Sequence, residues 1–116
     1  METLTKPQQK KVAKINNSLC VVLSNVGNPD FKQYAPIAPN FIMPARTLKE
    51  ASELCLEYIN EWDLGGGNWS GGDVYHPVKG HIASISYNGR VWKGDYCSDN
   101  AEEYPAADLD KKWEEL

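Results

Sequence analysis

His76 and His81, with Asp73 just ahead of them, are the residues whose types and spacing come nearest to chemistry in this sequence. Two imidazoles and a carboxylate are a usable donor set for zinc or a similar metal. Their spacing matches no strong ligand motif, and histidines on a hairpin surface are common, so metal binding is the lesser reading. The run Gly65-Gly-Gly-Asn-Trp-Ser-Gly-Gly72 invites a phosphate-loop reading. A phosphate loop follows a strand and opens a helix, so that amide donors and the helix dipole face the anion. Here the glycines follow a helical pattern and no Gly-Lys-Ser/Thr occurs, so phosphate binding is not expected. Cys20, Cys55 and Cys97 are odd in number and far apart, with no Cys-x-x-Cys pair. Reduced thiols in a cytoplasmic protein are the expectation. The sequence holds no Gly-x-Ser-x-Gly elbow, His-Glu-x-x-His pair or dinucleotide fingerprint. No catalytic residue, cofactor or small-molecule substrate is expected, and the protein reads as a non-enzyme.

The 116 residues suit one domain with a single modest core, taken as 1–116. No apolar run approaches the roughly 18–20 residues of a membrane span, and the first residues carry no apolar secretion signal. Net charge is −4 but unevenly spread. Seven basic and two acidic residues in 1–49 give +5, whereas residues 50–94 sum to −3 and residues 95–116 to −6. Such polarity suits one end meeting an acidic partner and the other a basic one, or the two ends pairing with each other.

The elements that would position these groups follow from periodicity and punctuation. Thr5, Pro7 and Gln8 suit a helix start, and Val12, Ile15, Leu19, Val22 and Val26 form one stripe on a helix ending near Gly27. A break at Asn16–Ser18, with Leu19–Leu23 as a buried strand, is the competing reading. Four prolines between Gly27 and Ala45 predict an ordered loop over the core, with Phe41–Met43 as a candidate short strand. Thr47 and Glu50 open a second helix whose buried stripe runs through Leu48, Ala51, Cys55, Tyr58, Ile59 and Trp62, stopping at Gly65. The glycine loop either presents Trp69 to solvent or folds it back as a lid. A two-residue Asn88-Gly89 turn pairs Ser86 with Val91 and Ile85 with Trp92, which puts Trp92 on the face of Ala83 and Ile85. A Lys79-Gly80 turn pairs Val78 with His81 and His76 with Ala83, bringing both histidines to one face and Val78 into the core. Pro77 makes the first of these strands an edge. Pro105 starts a short helix that docks Trp113. The predicted fold is a single α+β domain, a three-stranded antiparallel meander packed against two main helices, with a short C-terminal helix.

The segment from Ala51, ASELCLEYINEWDLGGGNW, and the hairpin GHIASISYNGRVW ending at Trp92 resemble small accessory proteins of bacterial phages, plasmids and integrative elements. That class includes anti-CRISPR and anti-restriction inhibitors. The resemblance implies a protein without cofactor that binds a host defence complex, such as a CRISPR effector, and blocks its access to nucleic acid. The acidic segment 95–116 would then enter a basic groove, with opposite charge speeding encounter. Candidate contacts are Trp69, Tyr75, Arg90, Tyr96, Asp99, Glu102 and Glu103. A different class of function, direct nucleic-acid binding, would use Lys6, Lys10, Lys11 and Lys14 on the first helix, with a steep salt dependence.

Overall fold

The computed structural model describes Gln8, Ala13, residues 17–94 and residues 100–116. Among these residues, six strands form one antiparallel sheet: β1 (Leu19–Leu23), β2 (Phe41–Ala45), β3 (Asp73–His76), β4 (Gly80–Ile85), β5 (Val91–Lys93) and β6 (Glu102–Glu103). Their spatial order is β2-β1-β3-β4-β5-β6. Helix α1 (Leu48–Glu61) packs on one face, and three short 3-10 turns complete the described elements. The α+β class stands. The expected three-stranded meander on two main helices is corrected to a six-stranded sheet with one bounded helix among the described residues; the first turns of the helix expected from Thr5 fall mostly outside them.

The difference begins at Leu19. All five residues of β1 are buried, and they divide between the two faces of the sheet. Leu19, Val21 and Leu23 join α1 in the main core, while Cys20 and Val22 join Tyr75 and Ala13 in a smaller cluster on the other face. A helix through these residues would have buried one stripe, whereas a strand covered on both faces of the sheet buries every side chain. Asn17 marks the change with a left-handed φ of 51°, a conformation asparagine tolerates better than most residues. The competing reading of Leu19–Leu23 as a strand is therefore the observed one. The candidate strand at Phe41–Met43 is also present, extended to Ala45 as β2.

Helix α1 forms as its sequence demands. The Thr47 hydroxyl accepts from the Glu50 amide at 3.1 Å, capping the first turn. Leu48, Ala51, Cys55, Tyr58 and Ile59 are buried at helical spacing against β1 and β2. The helix stops earlier than Gly65. Asp63 takes the left-handed position at φ 51°, and the Leu64 amide donates to the Ile59 carbonyl at 2.9 Å. The Asp63 amide reaches the Asn60 carbonyl at 3.3 Å. Both bonds belong to the six-to-one, five-to-two closure of a helix end, and Leu64 packs back into the core beside Ile59.

Both hairpins turn where punctuation placed them, but in a different register. Gly89 alone takes positive φ, at 84°, and the loop Tyr87–Gly89 is closed by Ser86 and Arg90. This three-residue loop shifts the pairing by one, so Val91 faces Ile85 and Trp92 faces Ser84. A one-residue shift exchanges the faces of a strand. Val91 is therefore buried in the core, and Trp92 lies half-buried on the opposite side. The β3–β4 turn is likewise longer: Pro77–Lys79 lie between His76 and Gly80, Val78 is exposed, and a bulge separates the Val74–Ala83 pair from the Tyr75–His81 pair. β3 is an interior strand, flanked by β1 and β4, with Pro77 in the turn and outside the ladder. The expected C-terminal helix is replaced by two 3-10 turns, Ala106–Asp108 and Trp113–Glu115. Leu109, Trp113 and Leu116 still dock on the core.

Candidate functional site

The two histidines part company. The His76 ring packs on Trp113 at 5.5 Å, and its Nε2 lies 2.7 Å from the Trp113 carbonyl. Its Nδ1 accepts from the Val78 and Lys79 amides, both at 3.0 Å. With Nδ1 accepting, Nε2 carries the proton and donates to that carbonyl. His81 lies on the other face, its ring 5.3 Å from Tyr75 and its Nε2 3.1 Å from Asp73 Oδ1, off the direction of a good hydrogen bond. The three-residue turn sets His76 opposite Gly80 and His81 opposite Tyr75, so the pair falls on opposite faces and the expected shared face is corrected. Among the described residues no group of three metal-capable side chains converges. Cys20 and Cys55 are buried thiols: burial pushes Cys20 up to about 11 and raises Cys55 further. Neither presents a thiolate nucleophile.

The glycine loop is packed, and Trp69 is the lid on the core. Trp69 is 7% exposed, and its indole Nε1 donates to the Ile85 carbonyl at 3.0 Å. The glycines serve close approach. A Cβ on Gly72, at φ 98°, would stand 2.1 Å from the Ile85 carbonyl oxygen. Asn68, also buried, ties the loop down: its Oδ1 accepts from the Gly65 amide, and its Nδ2 donates to the Val26 carbonyl and to Gln33 Oε1, each at 2.9 Å. Trp69 therefore leaves the set of surface contacts. So does Tyr75, 2% exposed where it packs with Ala13, Cys20 and Val22 on the second face of the sheet, with burial pushing its hydroxyl up to about 12.

Of the remaining candidates, Arg90, Glu102 and Glu103 come together at the β5–β6 edge. Arg90 clasps Glu103 through Nε at 3.1 Å and Nη2 at 2.7 Å, and its guanidinium lies 4.7 Å from the centre of the Trp92 ring. The hydrogen bonds from Arg90 hold the Glu103 carboxyl below its ordinary value. Lys93 pairs with Glu102 at 3.5 Å and lies 5.6 Å over the Tyr104 ring. These charges are spent on each other, as rungs that hold the two-residue β6 to the sheet. Tyr96 and Asp99 lie outside the described residues, as do Lys6, Lys10, Lys11 and Lys14.

The opposite edge carries a feature that sequence reasoning missed. β2 is the other terminal strand, Phe41-Ile-Met-Pro-Ala45, without a charged residue. Phe41 and Met43 pair with Leu23 and Val21 and so point to the helix side, where they are 41% and 37% exposed. With Leu23, Leu54 and Tyr58 they line an open groove of about 230 Å³, and Glu57 and Glu61 form its rim. Neither carboxylate has an ion-pair partner among the described residues. The groove floor is held by ring packing and hydrogen bonds. Phe41 meets Tyr58 edge-on at 6.2 Å, and Tyr58 meets Trp69 at 6.1 Å. The Tyr58 hydroxyl donates to the Pro39 carbonyl at 2.9 Å and accepts from Asn25 Nδ2 at 2.8 Å. Asn25, 3% exposed, is fully used: Nδ2 also donates to the Ala38 carbonyl, and Oδ1 accepts from the Ile37 and Ala38 amides. The signal in the sequence was Pro44 inside an apolar run, since proline in a strand marks an edge.

A second depression, of about 390 Å³, lies between the glycine loop and the β4–β5 turn, against Trp69, Tyr87 and Trp92. The polar atoms of its aromatic rings are already bonded, to the Ile85 carbonyl, the Leu64 carbonyl and the Ser86 hydroxyl respectively. No family profile matches the chain, and neither the curated proteins nor the solved structures contain a match to it.

Proposed function

We propose that this protein acts by docking, without catalysis, on a larger protein or nucleoprotein assembly in the cytoplasm. In this reading it is a mobile-element inhibitor of the anti-CRISPR or anti-restriction kind that keeps a bacterial defence complex from its nucleic acid. The observation that carries the docking part is β2: an uncharged terminal strand with Phe41 and Met43 exposed beside an apolar groove. Uncovered strand edges are templates for pairing with another chain, and proteins ordinarily blunt them. The inhibitor part rests on the resemblance of Ala51–Trp92 to accessory proteins of mobile elements. The acidic excess of the segment 95–116 would supply steering toward a basic partner. No helix of the described residues is long and apolar enough to cross a membrane.

The test is a titration of purified protein into purified CRISPR effector complexes carrying guide RNA and labelled target DNA. One-to-one loss of DNA binding, with the protein co-eluting with the effector, is the expected result. Loss of DNA binding far below one equivalent would indicate turnover and overturn the docking mechanism. Failure to bind any defence effector would overturn the inhibitor assignment.

A further inference from the structure

Phe41, Met43, Glu57 and Glu61 together describe a partner. A strand laid antiparallel or parallel to β2 would set alternate side chains on the helix side, over the groove and beside its two carboxylates. Those positions favour one apolar side chain for the space between Phe41, Met43 and Leu54, and a cation next to Glu57 and Glu61. Pro44 lacks an N–H, and an edge strand accommodates it where that position faces outward. By the two-residue alternation Ile42 then also faces outward, with its amide and carbonyl free to pair.

Resting on the docking function above, we infer that the β2 edge takes an extended segment of a partner protein as a seventh strand. That segment alternates an apolar residue with lysine or arginine on its helix-facing side. Charge decides between this occupant and a second copy of the chain. Two copies joined through β2 about a two-fold axis would place their helices side by side on one face of the joined sheet. Glu57 and Glu61 of each would then face those of the other, and β2 itself brings no cation to relieve them. Like charges so placed oppose association.

The probe is a labelled heptapeptide, capped at both ends, with threonine at every second position and leucine alternating with lysine between. Two control peptides replace lysine by glutamate or methylate the backbone amides. Anisotropy measures affinity, and amide chemical shifts locate the site. The lysine peptide should bind saturably with shifts centred on Ile42 and Met43, and the glutamate and methylated peptides should bind about tenfold more weakly or worse. The Glu57→Gln/Glu61→Gln double variant should weaken the lysine peptide several-fold with unchanged thermal unfolding. Met43→Lys should do the same by placing a cation on the edge. Equal binding of the lysine and glutamate peptides, shifts that map elsewhere, or no binding would overturn the inference. A concentration-dependent dimer dissolved by Met43→Lys would overturn it in favour of a second copy. Any of these failures alongside one-to-one inhibition of an effector would leave the docking function intact and assign it to another surface.

Discussion

The two edges of this sheet are built in opposite ways. β6 has two residues, both glutamate: Glu102 is tied to Lys93 on β5 and Glu103 to Arg90 just ahead of that strand. β2 has five residues, none charged, with two large apolar side chains exposed and, across the groove, two carboxylates without an ion-pair partner among the described residues. A short edge whose charges are already paired presents little to another strand, whereas the longer apolar edge has, among the described residues, Pro44 as its guard. The same sheet is thus closed at one side and open at the other. The open side rests on the hydrogen-bonded floor of Tyr58 and Asn25.

The contrast breaks first at its foundation. Asn25→Ala strips partners from the Ile37 and Ala38 amides, the Ala38 carbonyl and the Tyr58 hydroxyl. It should destabilise the protein by about 3 kcal/mol, as buried groups left unpaired do. Urea unfolding measures it, and a change under about 1 kcal/mol would mean that Asn25 does not hold the floor of the open edge. Next comes the register that carries the closed edge. Val91→Ala should cost about 2 kcal/mol because Val91 lies in the core. Trp92→Ala, by contrast, should chiefly loosen Arg90 and β6. Nearly no loss for Val91→Ala would restore the two-residue turn and put Trp92 inside.

The smallest effect is electrostatic. Arg90 holds the folded-state Glu103 carboxyl below its ordinary value of 4.5. The pair's contribution is therefore present above that value and is lost as pH falls through the lowered one. Both partners are solvent-exposed, so the change should be slight and should shrink in salt. Carboxyl chemical shifts against pH, with Arg90→Ala as reference, follow it directly. An unchanged Glu103 titration in that variant would remove the rung from the β5–β6 edge.

How much of this was legible depended on whether local chemistry left one geometry or two. Helix α1 was legible because Thr47 and a stripe at helical spacing agree with each other. β1 was not, because Leu19, Val22 and Val26 fit a helical stripe as well as a five-residue apolar run fits a strand. The choice was made by a second hydrophobic face, Cys20, Val22 and Tyr75, which no periodicity in one segment reveals. Asn88-Gly89 marked a turn correctly, yet asparagine and glycine serve both a two-residue loop and a three-residue loop with glycine alone at positive φ. That ambiguity of one residue moved Trp92 out and Val91 in, and the longer β3–β4 turn parted the histidines. Trp69 among glycines fitted exposure and burial equally until Asn68 and the Ile85 carbonyl were seen to fasten the loop.

The second strand from the β2 edge, β1, also sets an order of events at the ribosome. β1 can zip to β2 soon after both emerge, but its other flank, Cys20 with Tyr75 and Val21 with Val74, waits for a segment translated after α1 and the glycine loop. Until then the nascent chain carries a greasy ribbon with an unsatisfied backbone side, the kind of intermediate that chaperones shield. Completion of this protein is consequently gated by a late arrival, and translation pauses between Glu61 and Asp73 would lengthen its most vulnerable interval.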